Sequence, residues 1–285
     1  MFRIFLYFIQ ATVIYFFFII GKLIGLRLSQ NIFSKIFEMF GPLIRSDKII
    51  SNNINKFSPN LSAMERENIK KKMWSNYGMT FIEYIFLNLY RKKNSFVELR
   101  NTEVLKKIHQ SNKPVIFVSG HFANFEIMSL EITKQKIKLA TIYRPLNNIF
   151  LNPFMEYLRK KFICRYQIKK GRTGVKEAMQ YINNGFSIAM MIDQRVSEGE
   201  KIDLFGVPAL TTTLPAQLAL KFNLPIVPVL IKRNNTNDFT INFYNPVDIS
   251  KFKNKKDLTT HLNSNFEAML KNNPEQWIWT HNRWK

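Results

Sequence analysis

From Thr102 onward, short apolar runs rich in β-branched residues alternate with longer stretches of helical periodicity, and this alternation restricts the chain to α/β architectures. The strand-like runs fall at 115–118, 139–143, 162–168, 186–192, 226–231 and 239–244. The helical stretches fall near 102–110, 122–136, 149–160, 173–184, 214–222 and 257–272. Runs without polar alternation, such as Val115 to Val118, suit strands buried on both faces. A mainly parallel central sheet flanked by helices is expected, with no internal repeat. Ligands of open α/β sheets gather beyond the C-terminal strand ends, so the residues after each run are the first candidates for chemistry.

The segment Pro114-Val-Ile-Phe-Val-Ser-Gly-His-Phe-Ala-Asn-Phe-Glu126 puts His121 at the tip of the first of these strands, ahead of a helix expected from about Phe122. Five residues on, Glu126 would sit about 500° around a continuous helix from His121, so the histidine must lie outside that helix for the pair to meet. Folded back over the first turn, with Gly120 permitting the bend, His121 would meet a carboxylate able to fix its tautomer as a general base requires. On spacing alone the simpler reading is a capping histidine and an acid complementing the helix dipole. Zinc ligation is disfavoured, because helical ligand pairs want i, i+4 spacing and no second His/Cys cluster is present.

Other strand tips carry Arg144, then Lys169, Lys170 and Arg172, then Asp193, Gln194 and Arg195. If the strands are parallel, these groups converge on the His121 edge, and several cations there suit a phosphorylated ligand. Arg144 is the leading candidate. Gly171-Arg-Thr-Gly174 also offers helix N-terminal amides to an anion. Asp193 and Gln194 fit structural hydrogen bonding about as well.

Ahead of this unit, Ile4 to Ile20 is almost wholly apolar, with weaker apolar character to Leu28. It predicts a retained membrane helix, since no small-x-small cleavage pattern adjoins it, and leaves open a tilted span or a deeply inserted interfacial helix. Lys22, Arg27 and the basic body put the remainder of the chain on the cytoplasmic side. Residues 29–44 read as an amphipathic helix ended by Gly41-Pro42, and Ser62-Ala-Met-Glu65 as a capping box opening a helix to about Tyr90. Lys70-Lys71-Lys72 reads as solvated surface, Thr213 as a helix N-cap, and Trp277, Trp279 and Trp284 as core packing with a basic rim. The expected division is an anchor over 1–28, a helical membrane-proximal region over 29–100 and an α/β domain over 101–285.

A formal charge of +22 implies anionic partners. No nucleic-acid motif accompanies it, so a membrane surface and an acidic carrier protein lead. Cys164, the single cysteine, excludes an internal disulfide and reads as a core residue.

Gly120-His-Phe-Ala-Asn-Phe-Glu126, Tyr143-Arg-Pro-Leu-Asn-Asn148, Gly171-Arg-Thr-Gly174, Asp193-Gln194, Phe205-Gly206 and Pro274-Glu-Gln-Trp-Ile-Trp-Thr-His-Asn-Arg-Trp-Lys285 occur in that order. The set resembles the bacterial lipid A biosynthesis acyltransferases of the lysophospholipid acyltransferase superfamily, over essentially the whole chain. Phe125 stands where Trp is more usual there, and Asn282 where Arg often is. The resemblance implies His121 and Glu126 as the catalytic pair, with Asn124, Arg144, Arg172, Asp193, Gln194 and Arg195 at the substrates. It further implies a lauroyl- or myristoyl-type O-acyltransferase of the bacterial inner membrane that takes acyl-carrier-protein thioesters to a lipid A precursor, with no metal or other cofactor and no nucleic acid. The rivals are an acyltransferase for another phospholipid or glycolipid, and a non-catalytic lipid-binding membrane protein.

Overall fold

A computed structural model describes residues 1–92 and 96–285 of the chain. Helix α1 (Phe2–Ile24) is a single helix of 23 residues, about 35 Å at 1.5 Å per residue. Gly25, at φ 83°, turns the chain directly into α2 (Leu26–Ile44). The expected stop at Gly41-Pro42 is corrected, because α2 runs on to Ile44. A proline that close to the end disturbs little of the remaining hydrogen-bond ladder. α3 (Asp47–Phe57) leads to α4 (Ala63–Glu83), which opens on the expected capping box: Glu65 N–H donates to Ser62 Oγ at 3.2 Å and Ser62 N–H to Glu65 Oε2 at 2.8 Å. The helix expected to reach Tyr90 breaks after Glu83 into a tight 3₁₀ turn, Tyr84–Phe86, before α5 (Leu87–Tyr90). Lys70 is not simply solvated. Its ammonium bridges Asp47 at 2.9 Å and Glu67 at 2.8 Å.

α2 lies along α4, with Phe33 and Phe37 against Phe81. Gly78 makes the approach possible, since a Cβ there would stand 2.2 Å from the Phe33 carbonyl oxygen.

The α/β unit runs β1 (Val97–Arg100), α6 (Thr102–Ser111), β2 (Ile116–Ser119), α7 (Glu126–Lys134), β3 (Leu139–Tyr143) and α8 (Asn152–Leu158). α8 continues as a π-helical turn, Arg159–Ile163, where the sequence reading began a strand at 162. There follow β4 (Tyr166–Lys169), α9 (Arg172–Asn183), β5 (Ser187–Met191), β6 (Glu200–Leu204), β7 (Val207–Thr211), α10 (Leu214–Phe222), β8 (Ile226–Arg233), β9 (Phe239–Phe243) and α11 (Lys255–Asn272). Among the described residues, seven strands form one sheet in the order β1-β9-β8-β2-β5-β3-β4, and every pairing in it is parallel except β8 with β9. The mainly parallel sheet is therefore observed. β1 pairs with β9, so the α/β unit begins by Val97, ahead of residue 101. β6 and β7 form a separate hairpin that the sequence reading missed, with Phe205 (φ 55°) and Gly206 (φ 70°) as its two-residue turn.

β2 shows how the core is divided. Phe117 faces one layer, together with Ile127 and Met128 of α7 and with Phe33, Trp74 and Ile82 of the N-terminal helices. Ile116 and Val118 face the other, with Ala178 and Ile182 of α9 and Leu218 of α10. The N-terminal helices thus share a core with the sheet. Trp277, Trp279 and Trp284 close the first layer as expected. Arg283, however, is wholly buried, donating to Leu210 O at 2.9 Å and Thr211 Oγ1 at 2.6 Å, so it is no part of a basic rim. Cys164 is buried as expected. Thr213 occupies the α10 N-cap without a side-chain cap bond, and the hydroxyl that accepts from Leu214 N–H is that of Thr212, at 3.3 Å.

Candidate active site

α7 begins at Glu126, not near Phe122, and residues 120–125 form an irregular loop beyond β2. Ala123 makes the turn, at φ 45°, a conformation that costs an L-residue roughly 1–2 kcal/mol. Its neighbours hold it there: its N–H donates to Gln276 O at 2.9 Å and its carbonyl accepts from Thr80 Oγ1 at 3.2 Å. Gly120 is needed for space and not for the bend expected of it. A Cβ there would meet the Phe266 ring at 2.5 Å.

β2 and β5 pair in register Ser119 with Met191, so the residues two places beyond each strand, His121 and Asp193, come face to face. Asp193 Oδ1 lies 2.7 Å from His121 Nδ1. Its Oδ2 accepts the His121 main-chain N–H at 2.8 Å and the Trp277 indole N–H at 2.6 Å. Burial alone would raise the Asp193 carboxyl, but the adjacent imidazole and the two N–H donors outweigh it and hold the group down at about 2. An ionised carboxylate can only accept, so the neutral imidazole carries its proton on Nδ1 and leaves a lone pair on Nε2. The His121 side chain is 16% exposed. Its ring is met edge-on by Phe125 at 4.5 Å, and the Gln194 amide nitrogen lies 3.5 Å from Nε2.

The expected contact between His121 and Glu126 is corrected. Glu126 Oε1 accepts from Tyr84 Oη at 2.8 Å and pairs with the Arg159 guanidinium, Nε at 2.7 Å and Nη2 at 2.6 Å. Because α7 starts five residues after the histidine, Glu126 reaches toward the turn following α4 and the π turn following α8. Burial opposes charge on Arg159, yet Glu126 more than compensates and its guanidinium is held above its ordinary value. Burial with the Glu126 charge likewise raises the Tyr84 hydroxyl. Neither Arg159 nor Tyr84 was singled out from sequence. Arg159 opens the run Arg159-Lys160-Lys161, and composition does not distinguish its buried cation from its exposed neighbours.

Asn124 is buried and donates to Glu83 Oε2 at 2.9 Å, so it braces the loop. Glu83 accepts also from Gln30 of α2 at 2.7 Å and pairs with Arg233 of β8, both acid and base being buried. Arg144 and Arg172 are exposed, and among the described residues neither pairs with a carboxylate. Lys170 joins them: its N–H donates to Tyr143 O at 2.8 Å, and desolvation together with Arg144 lowers its ammonium. The Arg195 side chain is committed to Lys285 O at 3.1 Å, while its main-chain N–H donates to His281 Nε2 at 3.0 Å. Burial lowers the His281 imidazole. Among the described residues, no three His, Cys, Asp or Glu side chains cluster in a way that could hold a metal ion.

A histidine with an oriented lone pair, at the C-terminal edge of a parallel sheet, is the equipment of an α/β acid–base transferase or hydrolase. The chain as a whole, residues 1–285, matches the family described as bacterial lipid A biosynthesis acyltransferase, and it belongs to that family. It is therefore an O-acyltransferase-type chain of lipid A synthesis. Similar proteins include "Lipid A biosynthesis acyltransferase 2" of Shigella flexneri, 24% identical over 92% of this chain and 87% of the relative. Another is "Lipid A biosynthesis palmitoleoyltransferase" of Escherichia coli K12, 21% identical over 88% and 83%. Among solved structures, the 1-acyl-sn-glycerophosphate acyltransferase of Thermotoga maritima superposes with a TM-score of 0.43 at 14% identity, covering 89% of this chain and all of that one.

Proposed function

We propose that the protein is a membrane-bound enzyme that moves a fatty acyl chain from an acyl-carrier-protein thioester to a hydroxyl of a lipid A precursor, with His121 as general base. The observation that carries this reading is the 2.7 Å contact between His121 Nδ1 and the buried Asp193, which frees Nε2 to take a proton. In the proposed reaction the acceptor hydroxyl gives its proton to Nε2 as its oxygen attacks the thioester carbonyl. The C–S bond then breaks, and the departing thiolate recovers that proton from the imidazolium. Arg144, Lys170 and Arg172 are suited to holding acceptor phosphates. The chemistry needs no metal or other cofactor.

Family membership supports acyl transfer in lipid A synthesis. Helix α1 supports the membrane assignment, being the one helix among the described residues long and apolar enough to cross a bilayer, with only 17% of its most apolar window buried. The cationic segments after it favour the cytoplasmic face of the inner membrane. His121→Ala tests the base. Transfer from carrier-linked donor to purified acceptor should fall by about 10²- to 10⁴-fold while folding and membrane association persist. Near-normal turnover by that variant would remove His121 from the chemistry.

A further inference from the structure

The far end of α8 and the π turn after it carry a patch that the catalytic reading leaves unused. Phe154 and Tyr157, three residues apart, share a face of α8, with Phe150 in the turn before the helix and Lys161 in the π turn after it, so the four form a stripe in chain order. The first part of that stripe is fastened to α1. Phe150 meets Phe8 edge-on at 5.6 Å and its carbonyl accepts from Tyr15 Oη at 2.9 Å, while Phe154 meets Tyr15 at 5.5 Å. Further along, the stripe opens into a shallow cleft of about 570 Å³ lined by Tyr157, Lys160, Lys161, Arg165 and Tyr166. Tyr157 is 52% exposed and Tyr166 39%. Among the described residues, none of the three cations in the cleft pairs with a carboxylate. Lys161 instead donates to Tyr157 Oη at 2.6 Å and sits over the Tyr157 and Phe162 rings.

We propose that this cleft binds the anionic phosphate headgroups of the bilayer that receives α1, making it a second lipid contact apart from the acceptor site. The inference rests on the membrane assignment of α1 made above. α1 is fastened to the body from Tyr7, whose carbonyl accepts from Asn148, to Lys22, which donates to Ile85 O. Whatever depth α1 takes, Phe150 and Phe154 go with it. The exposed Leu146 and Ile149 extend the apolar face beside them. Along the stripe the order is then exposed Phe150 with Phe154 packed on α1, amphipathic Tyr157 and finally cations, which is the order of a bilayer from core to headgroup. An acidic carrier protein would satisfy the cations, but in the proposed reaction its acyl chain is delivered to His121, which leaves the apolar residues adjoining the cations uncovered.

The test is the full-length chain in neutral detergent micelles, with retained phosphatidylglycerol and phosphatidylcholine counted by native mass spectrometry as each is titrated in. Wild type should retain phosphatidylglycerol in preference. Combined Lys160→Ala, Lys161→Ala and Arg165→Ala should lower its apparent affinity by about 100-fold at low salt, with phosphatidylcholine unaffected. The removal of three exposed cations from α6 and its C-terminal end, by Lys106→Ala, Lys107→Ala and Lys113→Ala, should leave both lipids as they were. Equal losses in the two triple variants would reduce the effect to net charge and overturn the site. So would unchanged phosphatidylglycerol retention in the cleft variant, or retention unchanged with a raised KM for the carrier-linked donor, which would give the surface to the carrier. Unfolding is checked by the melting temperature of each variant. Lipid counting needs no turnover, so it also stands on a His121→Ala background, and its outcome is separate from that of the acyltransferase assignment.

Discussion

Replacing Asp193 by Asn changes one atom of the carboxylate that faces three donors: His121 Nδ1–H, His121 N–H and Trp277 Nε1–H. The amide has a single oxygen. Two of the donors, the main-chain and indole N–H groups, converge on Oδ2 and cannot change their character, so the amide oxygen belongs there and its NH₂ turns to Nδ1. The imidazole can comply only by moving its proton to Nε2, where the lone pair is needed. In the serine-protease triad the equivalent wrong-tautomer change costs about 10⁴ in kcat, or roughly 5.5 kcal/mol of barrier. Asp193→Asn should therefore lose about 10³- to 10⁴-fold in single-turnover acyl transfer per folded molecule. Its fold should survive, because the Oδ2 bonds remain. Glu126→Gln is the companion variant: it leaves Arg159 without its counter-charge, and its chief effect should be a fall in melting temperature. If Asp193→Asn turns over within tenfold of wild type, Asp193 does not set the tautomer and the proposed base mechanism loses its support.

Three further outcomes are expected. Glu83→Gln strands the buried Arg233 charge and should cost about 3–5 kcal/mol in denaturant unfolding, partly recovered by pairing it with Arg233→Met; an unchanged midpoint would show the network to be dispensable. Arg144→Lys keeps charge but loses the bidentate fork, so it should slow transfer to a phosphorylated acceptor more than to a dephosphorylated one; equal slowing would move the phosphate role to Arg172 or Lys170. Because the Asp193 carboxyl is depressed to about 2 in the folded chain, the unfolded chain binds the extra proton between that value and roughly 3.9. Stability therefore rises with pH across that window. The contribution, about 2 kcal/mol, should be complete above pH ~4, vanish as pH falls through 2, and be absent from the acid unfolding of Asp193→Asn.

His121 was legible because everything that marks it is local: an apolar β-branched run, the Ser-Gly break and a histidine at the tip. Its partner was not. Glu126 was the nearest carboxylate in sequence, whereas Asp193 is brought opposite by the pairing of β2 with β5, strands not consecutive along the chain. The β6–β7 hairpin did leave a signal, in the alternation of Ile202 and Leu204 with Val207 and Ala209 around Phe205-Gly206, but β1 is four residues long with half-buried apolar positions and left little. Asn124 braces the loop through Glu83, a partner 41 residues earlier in the chain whose helix α4 packs in the same layer as α7. Periodicity and residue type by themselves determined the long helices, every strand of the sheet but β1, and the family to which the chain belongs, since those depend on contacts a few residues apart or on motifs in order. Which carboxylate meets His121, which arginine is buried and which apolar faces share a core depended on strand order and helix packing, and these bring together residues whose separation along the chain carries no trace of their adjacency.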